Sequence, residues 1–495
     1  MVRIERVANE TALSARKASS VTLACLSRDT LYLTAAPTND DHAVKGNGAG
    51  ALFGVTGLLT GGRSESRPRI GADNRPERRR YSRGRTRRGM SSHSPAAHRG
   101  RLLSTLRVQF PDVLDETGGF RLLHPETGDP YTEGDRHLVA TCRSIANFAA
   151  GAVADGPGWC LDAAEHGIAF LESAHGADES SAEGYQLVVN ADGEPVDRTR
   201  SAYGHAFVLL AHARAADAGI DGAEVAVAST MSLLEERFHD GTGCLRSDCD
   251  PNWSERESYR GQNANMHACE AYLAAYEATG DEASLDRARR IAERVTVELA
   301  AETDGLLWEH YTADWEHDFE YNADEPRHQF RPPGYQPGHH VEWAKFLALL
   351  DRYDAPVPDE LAGEGGWYGR AVELFDAAVD LGWTQGGFAY TVEADGCVIV
   401  GDRYGWTLAE GIGASAALAE RARSRGDSGA ADRFDGWHRR LLDHVDTYRG
   451  PAGLWYEKRP AAESGGDPVA PAPPGVEPDY HPASAWYESW RSGQF

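Results

Sequence analysis

The chain has 495 residues, with 50 basic and 76 acidic side chains and a formal net charge of −26. Because 41% of the residues are hydrophobic and 25% are charged, the chain can bury a substantial core, which excludes disorder throughout. The acidic excess also argues against nucleic acid or an anionic membrane as a partner, since both are polyanions.

The first 89 residues differ in charge from the rest of the chain. They carry 17 basic and 8 acidic groups, whereas residues 90–495 carry 33 basic and 68 acidic groups. Arginine-rich runs fill the stretch from Arg63 to Arg88, and no helical or strand periodicity is sustained there. A basic arm for nucleic acid and a targeting peptide are the functional alternatives. We predict that residues 1–89 form a basic disordered extension, with Met90 as an alternative natural start, and that residues 90–495 form the folded domain.

From residue 100 onward, segments rich in alanine and leucine place apolar residues at the spacing i, i+3, i+4 and i+7, which predicts amphipathic helices. The predicted helices are Arg136–Val153, Trp159–Ser173, Ser201–Ala218, Gly222–Arg237, Asn263–Thr279, Glu282–Ala300, His339–Arg352, Tyr368–Leu381, Trp406–Arg423 and Ala430–Tyr448. Tyr185–Asn190 and Phe388–Val392 are short strand-like pieces, and an Ala-Asp-Gly turn signal follows each of them closely.

The predicted helices come in pairs, and a polar or aromatic residue marks the first helix of each pair. These markers are Arg143, Tyr203, His267, His339, Trp406 and His481, with spacings of 60, 64, 72, 67 and 75 residues. Six hairpin units of similar length indicate an all-α ring in which an inner circle of helices lies inside an outer one. An open helical solenoid is the alternative, but long loops before the inner helices favour a closed ring with a pocket at one rim.

Three histidines at loop–helix junctions are candidate acid–base groups. His267 lies one helical turn after Asn263, and His339 follows the helix-breaking pair Pro337-Gly338. His481 lies just before a final helix that we expect at the C-terminal end of the chain, after the ten segments given above. A helix N-terminus favours the neutral form of a histidine, which suits a base near pH 7. Glu342, three residues after His339, could hold that imidazole in one tautomer.

Other side chains near the helix starts suit a sugar. Arg143 lies in an otherwise apolar helix and needs a polar partner if it is buried. Tyr203 and Trp406 offer aromatic faces, which stack on the C–H surface of a pyranose, while arginine, asparagine and glutamate side chains bind its hydroxyl groups. The sequence therefore predicts a monosaccharide pocket.

Two kinds of cofactor site can be considered. A three-histidine metal site is a rival interpretation, but neither a His-x-x-x-His pair nor a matching carboxylate pair occurs at ligand spacing. No glycine-rich phosphate loop follows a predicted strand, so no nucleotide cofactor is indicated. We predict an enzyme without metal or cofactor.

The ordered motifs resemble the N-acylglucosamine 2-epimerase superfamily, and within it the aldose–ketose isomerases that act on mannose or sulfoquinovose. They are Thr-Cys-Arg (141–143), Tyr-Gly-His-Ala-Phe (203–207), Asn-Ala-Asn-Met-His (263–267), Pro-Gly-His-x-x-Glu-Trp (337–343), Trp406 with Glu410, and Asp-Tyr-His (479–481). The resemblance runs from about residue 100 to 495. It implies an (α/α)6 barrel, which agrees with the predicted ring, and a reaction that needs no metal.

The resemblance also implies roles for individual residues. His339 and His481 resemble the acid–base pair, and His267 a third essential histidine. Arg143 resembles the group that binds sugar oxygens next to the reacting carbons. Asn263, Tyr203 and Glu342 match residues that hold hydroxyl groups or orient the histidines. An arginine before the Pro-Gly-His motif contacts substrate in relatives, and the matching candidates are Arg331, which we favour, and Arg327.

We therefore expect a mannose-to-fructose type of isomerase that works through a cis-enediol, with His339 helping the ring to open and His481 removing the proton next to the carbonyl. The alternatives are a sugar 2-epimerase, an (α/α)6 glycoside hydrolase using carboxylates among Asp402, Glu410 and Glu342, and a non-catalytic sugar-binding protein. The sequence leaves open whether the protein is a monomer or a homo-oligomer.

The basic residues themselves indicate a compartment. Only Lys17, Lys45, Lys345 and Lys458 are lysines, and the other 46 basic residues are arginines. An acidic surface poor in lysine keeps a protein hydrated in high salt, where charge repulsion is screened within about 3 Å at 1 M. We predict a halophilic, cytoplasmic protein.

Overall fold

The computed structural model describes residues 93–494, apart from 133, 177–182, 462–463 and 474, and three strands nearer the N-terminus. It divides into two units, Met1–Arg78 and Arg79–Phe495. The described strands of the first unit are β1 (Leu23–Ser27), β2 (Thr30–Thr34) and β3 (Leu52–Thr56), which form an antiparallel sheet in that order. The predicted disordered extension over residues 1–89 otherwise lies outside the described residues and stays a prediction.

The described part of the second unit contains twelve α-helices. They are α1 (Pro95–Gln109), α2 (Leu138–Val153), α3 (Trp159–Phe170), α4 (Ala202–Asp217), α5 (Ala223–Arg237), α6 (Gln262–Thr279), α7 (Glu282–Glu293), α8 (Pro337–Arg352), α9 (Gly366–Gly382), α10 (Gly405–Ser424), α11 (Ser428–Leu442) and α12 (Tyr480–Arg491). Each predicted helix matches one of these, with ends that differ by a few residues where a helix continues as a short π or 3₁₀ turn.

The even-numbered helices form a closed inner ring. Each packs against the next even-numbered helix, and α12 returns to pack against α2. The odd-numbered helices α3, α5, α7, α9 and α11 each pack outside the inner helix that precedes them. The structure thus confirms the predicted (α/α)6 barrel and excludes the open solenoid. The sixth hairpin joins the two ends of this domain, because the outer partner of α12 is α1.

The two circles of helices differ in composition because they differ in surroundings. In α2, 14 of 16 residues are buried, since an inner helix contacts neighbours on all sides. In α7, only five of 12 residues are buried, and these lie on the face that contacts the inner ring. The inner helices are accordingly rich in alanine, whose small side chain allows close helix packing.

Short antiparallel strands decorate the loops of this domain. They are β4 (Asp135–His137), β5 (Val188–Asn190), β6 (Pro195–Asp197), β7 (Arg260–Gly261), β8 (His310–Tyr311), β9 (Trp383–Thr384), β10 (Gly387–Phe388), β11 (Thr391–Val392), β12 (Val398–Val400), β13 (Arg403–Tyr404) and β14 (Lys458–Arg459). The two predicted hairpins are confirmed as the pairs β5–β6 and β11–β12.

These strands fix where the inner helices begin. Strands β4, β7 and β13 each end at the residue before an inner helix, namely α2, α6 and α10. A side chain in the first turns of such a helix is therefore held by both a strand and a helix. None of the helices among the described residues combines the length and apolar character that a bilayer crossing requires.

Candidate active site

A cavity of about 890 Å³, measured out to its open mouth, is lined by residues from all six inner helices. This volume falls in the usual range for small-molecule sites. Eight of the nine predicted site residues line it: Arg143 of α2, Tyr203 of α4, Asn263 and His267 of α6, His339 and Glu342 of α8, Trp406 of α10, and His481 of α12. The ring therefore gathers residues that are up to 338 positions apart in the chain.

His481 is held at the start of α12 by a buried carboxylate. Its Nδ1 lies 2.7 Å from Glu410 Oε1, and the Glu410 carboxylate also accepts a hydrogen bond from Lys345 Nζ. Burial alone would raise the pKa of Glu410, but the charge of Lys345 and the contact with His481 hold it below its ordinary value. Because an ionised carboxylate only accepts, His481 donates the hydrogen of this bond from Nδ1, and in the neutral imidazole the lone pair is therefore on Nε2.

His339 has the same arrangement with a different partner. Its Nδ1 lies 2.9 Å from Glu309 Oε2, and Gln262 Nε2 donates to the same oxygen at 2.7 Å. The pKa of Glu309 is lowered, since His339 and Gln262 outweigh the effect of burial. The sequence-based hypothesis that Glu342 orients His339 is therefore corrected: Glu309, 30 residues earlier, holds that imidazole.

His267 is the third histidine with a carboxylate on Nδ1. Its Nδ1 lies 2.9 Å from Glu270 Oε2, and burial lowers the pKa of His267 to about 4. His267 is therefore neutral near pH 7. Its ring centroid lies 6.4 Å from that of His481, so the two imidazoles are neighbours within the cavity.

Glu342 is a buried glutamate near His267 and His481 that has no hydrogen-bond partner among the described residues. Its Oε1 is 4.0 Å from His267 Nδ1. Burial, followed by the nearby charge of Glu410, raises its pKa well above the ordinary value. A raised pKa favours the protonated form of Glu342, and in that form the carboxyl group can donate a hydrogen bond as well as accept one.

Arg143 is the buried cation of the cavity. Its Nη2 donates to the Tyr203 hydroxyl at 3.0 Å, and its Nη1 donates to Glu477 Oε2 at 3.1 Å. The guanidinium also lies over the ring of Phe207, with 4.5 Å to the ring centroid. Nη1 also donates to the Val476 carbonyl at 3.1 Å. The predicted need of Arg143 for a polar partner is thus met by three groups, and the arginine is fixed in one position.

Trp406 forms the surface between the two proposed acid–base histidines. Its ring centroid lies 5.2 Å from that of His339 and 5.7 Å from that of His481. Gly338 permits this, because a Cβ atom at that position would lie 2.5 Å from the Trp406 ring. The glycine of the Pro-Gly-His motif is therefore required by the close approach of the indole to the start of α8.

Arg331 is the predicted site residue that does not line the cavity. Its guanidinium donates to Glu257 Oε1 at 2.7 Å and to the Tyr321 hydroxyl at 3.0 Å, and it lies over the Tyr259 ring. The alternative candidate, Arg327, is bound to Asp402 Oδ2 at 2.6 Å and also lies off the cavity wall. Gln329 and Phe330, between the two arginines, line the cavity instead.

Sequence reasoning missed three carboxylates that contact the predicted histidines and one lysine that lies behind them. Glu270, Glu309 and Glu477 contact His267, His339 and His481, respectively, and Lys345 contacts Glu410. Lys345 had one signal, as one of only four lysines in the chain, here within an inner helix. Glu270 and Glu477 had a signal in their spacing, three residues after His267 and four residues before His481, whereas Glu309 lies 30 residues before His339 and had none.

Two groups of side chains could bring ligand atoms to a cation. In the sets His267–Glu270–Glu342 and Glu342–Glu410–His481, the ligand atoms lie within 4.8 Å of one another. Each histidine already donates to a glutamate, and the ammonium group of Lys345 already bonds Glu410. We assign no metal to either set.

The arrangement combines acid, base and charge stabilisation around one hollow. The imidazoles of His339 and His481, each held through Nδ1, the carboxyl group of Glu342 and the guanidinium of Arg143 line the same cavity. Such groups can move a proton between adjacent carbon atoms of a carbonyl compound and stabilise the oxygen charge that develops.

Comparison with known proteins identifies the family to which the chain is similar. Residues 118–485 match the family model of N-acylglucosamine 2-epimerase. The chain is 34% identical over 392 residues to the D-mannose isomerase of Marinomonas mediterranea, covering 78% of this chain and 94% of the relative. It is 37% identical over 390 residues to the D-mannose isomerase of Thermobifida fusca, covering 77% and 90%.

A solved structure agrees with these sequence matches. A crystal structure of D-mannose isomerase superposes with a TM-score of 0.72 at 32% identity, covering 81% of this chain and 99% of that one. Both the matched length and the shared barrel thus bear out the resemblance read from the motifs. The chain belongs to the N-acylglucosamine 2-epimerase family.

Proposed function

We propose that the protein is an aldose–ketose isomerase that interconverts mannose and fructose. The observation that carries this proposal is the convergence of His267, His339 and His481, from three separate inner helices, on one cavity with a carboxylate on each Nδ1. The similarity to D-mannose isomerases over most of the chain supports the choice of substrate.

The first step is the opening of the pyranose ring. His339, held by Glu309, takes the proton of the anomeric hydroxyl group on Nε2, and the C1–O5 bond breaks as the C1 carbonyl forms. The ring oxygen receives a proton in return, and the carboxyl group of Glu342, whose pKa is raised and which lies one helical turn after His339, is suited to give it. The sugar is then an open-chain aldose beside Trp406.

The second step moves hydrogen between C2 and C1. His481 removes the proton from C2 with its Nε2 lone pair, and the electron pair forms the C1–C2 double bond of a cis-enediol. Arg143 stabilises the charge on the developing oxygen, and Glu410 stabilises the imidazolium. Transfer of the O2 hydroxyl proton to O1, together with return of the carbon-bound proton from His481 to C1, gives the ketose with its carbonyl group at C2. A positioned acid–base group of this kind contributes roughly 10²–10⁴-fold in rate.

The charges of the cavity favour an unphosphorylated sugar. Among the described residues that line it, Arg143 is the one side chain with a permanent positive charge, and it is already bound to Glu477. Glu457 and Glu477 line the same cavity. A phosphate group would meet these acidic side chains without a free cation to bind it.

A 2-epimerase is the second candidate, because the same enediol gives the 2-epimer when the proton returns to C2 from the other face. The proximity of His267 to His481 is the observation that favours it. The glycoside hydrolase alternative has less support. Asp402 is bound to Arg327 and Lys458 and does not line the cavity, and both oxygens of Glu410 are engaged.

The deciding experiment is incubation of the purified protein with mannose, fructose, glucose and N-acetylated sugars in deuterated water containing molar salt. We expect fructose from mannose, with deuterium entering the carbon-bound positions at C1 or C2. Chromatography distinguishes a ketose from a 2-epimer, and release of a reducing end from a disaccharide would indicate a hydrolase. His481→Asn should fold normally and lose turnover. Full activity in that variant would refute the assignment of the base.

We further propose that the protein works in the salt-rich cytoplasm of a halophile on a free monosaccharide, as a monomer or homo-oligomer. The lysine-poor acidic composition supports this, and neither Lys345 nor Lys458, the two lysines among the described residues of the barrel, is exposed. Activity that rises between about 0.1 M and 2 M KCl is expected, as salt screens the repulsion among the acidic groups, and activity lost in molar salt would contradict it.

A further inference from the structure

We propose that Glu477 is a positioning residue of this site: its carboxylate neutralises Arg143 beside the Nε2 atom of His481 and so preserves the affinity of that nitrogen for a proton. This inference rests on the proposed function and concerns how its base is made effective. Glu477 belongs to the motif Glu-Pro-Asp-Tyr-His, whose glutamate has no role so far.

The backbone fixes Glu477 at the start of α12. Its Oε1 accepts hydrogen bonds from the backbone N–H groups of Tyr480, at 2.5 Å, and His481, at 3.3 Å. Asp479 has a positive φ of 52°, and this tight turn folds the preceding residues back over the helix N-terminus. The carbonyl of Pro478 is held by Asn147 Nδ2 at 3.0 Å.

The second carboxylate oxygen of Glu477, Oε2, contacts two groups of the site. Its Oε2 lies 3.1 Å from Arg143 Nη1 and 3.4 Å from His481 Nε2. The same guanidinium approaches His481 directly, since Arg143 Nη2 lies 3.4 Å from His481 Nε2. The nitrogen that has to take the substrate proton thus has one cation and one anion beside it.

A guanidinium this close opposes the proposed chemistry. A positive charge within about 4–6 Å disfavours protonation of a base, and the buried position of Arg143 limits screening by water. Arg143 is required nearby to stabilise the oxygen charge of the enediol, so it cannot simply be farther away. An anion that pairs with Arg143 and also faces His481 Nε2 resolves this conflict.

The other charged groups around His481 do not supply that anion. Those facing it are Arg143 from α2, His267 from α6, Glu342 and Lys345 from α8, Glu410 from α10, and Glu477 with Tyr480 from its own segment. Glu410 contacts Nδ1, Glu342 makes no hydrogen bond to His481, and Lys345 adds positive charge. Among the contacts of the described residues, His481 is the only one of the three histidines with a carboxylate at Nε2.

The test compares Glu477→Gln with the wild-type enzyme and with reference variants. The amide introduced by Glu477→Gln keeps an oxygen for the backbone N–H groups but removes the charge, whereas Glu477→Asp keeps the charge. Glu457→Gln makes the same charge change in the same cavity, where Glu457 is held by Gln329 Nε2 at 3.0 Å and does not contact His481. Glu477→Ala serves as a second neutral variant.

Two measurements are made on each protein. The first is the pH dependence of kcat/KM for mannose, whose acid limb reports the base of the free enzyme. The second is a titration of the His481 imidazole by ¹H–¹⁵N correlation with ¹⁵N-labelled histidine, assigned with His481→Asn. We expect Glu477→Gln to move the midpoint of the His481 titration down by about one pH unit in both measurements. In Glu477→Asp, the midpoint of the His481 titration should lie close to the wild-type value. In Glu457→Gln, the midpoint should be unchanged.

An unchanged His481 titration in both neutral variants would overturn the inference, as would an equal shift in Glu457→Gln. The titration does not require turnover, so it decides the role of Glu477 even if no sugar is converted. Failure of the wild-type enzyme to isomerise any sugar would instead refute the proposed function.

Discussion

Lys345 is expected to be essential for stability, because it is the ammonium group that compensates a buried carboxylate cluster. It is 3% exposed, its Nζ bonds Glu410, and Glu270 and Glu342 face it from nearby. The methylene stem passes Gly413, where an added Cβ atom would lie 3.2 Å from Lys345 Cδ. The change Lys345→Met keeps most of the packing volume and removes the charge.

The magnitude follows from the burial of the pair. Removing one partner of a buried ion pair leaves an uncompensated charge and costs about 3–5 kcal/mol of unfolding free energy. Replacing both partners, in Lys345→Met with Glu410→Gln, removes the charge on each side, so the double variant should be more stable than Lys345→Met alone by at least about 2 kcal/mol. Urea denaturation at constant salt gives the unfolding free energies of this double-mutant cycle. The four proteins are the wild type, Lys345→Met, Glu410→Gln and the double variant.

The pH dependence of the loss has a definite sign. In the wild-type protein the pKa of Glu410 is lowered, so its contribution to stability is present above its unfolded pKa and is lost as the pH falls through the folded one. Without Lys345, burial dominates and raises the pKa of Glu410. The stability difference between variant and wild type should therefore be widest at about pH 7–8 and narrow towards about pH 5. A Lys345→Met variant within about 1 kcal/mol of wild type at pH 8, with no recovery in the double variant, would refute this reasoning.

Three further outcomes are expected. Glu309→Gln should lower kcat by about 10–100-fold with little change in KM, because it replaces the charged acceptor on His339 Nδ1 with a neutral amide. An unchanged kcat would show that Glu309 does not act through the imidazole. Asp479→Asn should stabilise the protein more at about pH 9 than at about pH 5. Burial raises the pKa of Asp479 to about 8, so its ionisation costs stability as the pH rises, and asparagine tolerates the positive φ; equal effects at both pH values would contradict this. With mannose as substrate, Arg143→Ala should lower kcat/KM by about 100-fold or more. Arg331→Ala should lower it by less than about tenfold, because Arg331 does not line the cavity. Similar losses in both variants would argue that Arg331 reaches the substrate.

The structure confirms the predicted features that depend on short-range or regularly repeated sequence patterns. Helical periodicity identified ten of the α-helices, and the regular spacing of the marker residues indicated six inner helices around one axis. In a closed ring the inner helices run side by side, so markers near the same end of each helix meet at the same rim. That geometry is why eight candidate residues on different hairpins could be assigned to one cavity.

The partners of those residues could not be assigned in this way. Helical spacing favours Glu342 as the partner of His339, yet Glu309 takes that position from the preceding loop. Likewise, α1 is the outer partner of α12 although the whole domain lies between them in sequence. Arg331 follows a cavity-lining segment in sequence, but its guanidinium is bound to Glu257, 74 residues away, and does not line the cavity.

The amino-acid sequence alone thus determined the hairpin repeat, the acidic composition and the identity of the reactive side chains, because these depend on residue type and short-range periodicity. Only the tertiary structure decided which carboxylate holds each imidazole, where Lys345 compensates charge, and how Glu477 meets Arg143 and His481. Hydrogen bonds and ion pairs act over about 3 Å, and the backbone path that brings residues 71 or 334 positions apart to that distance is set by the packing of the whole ring.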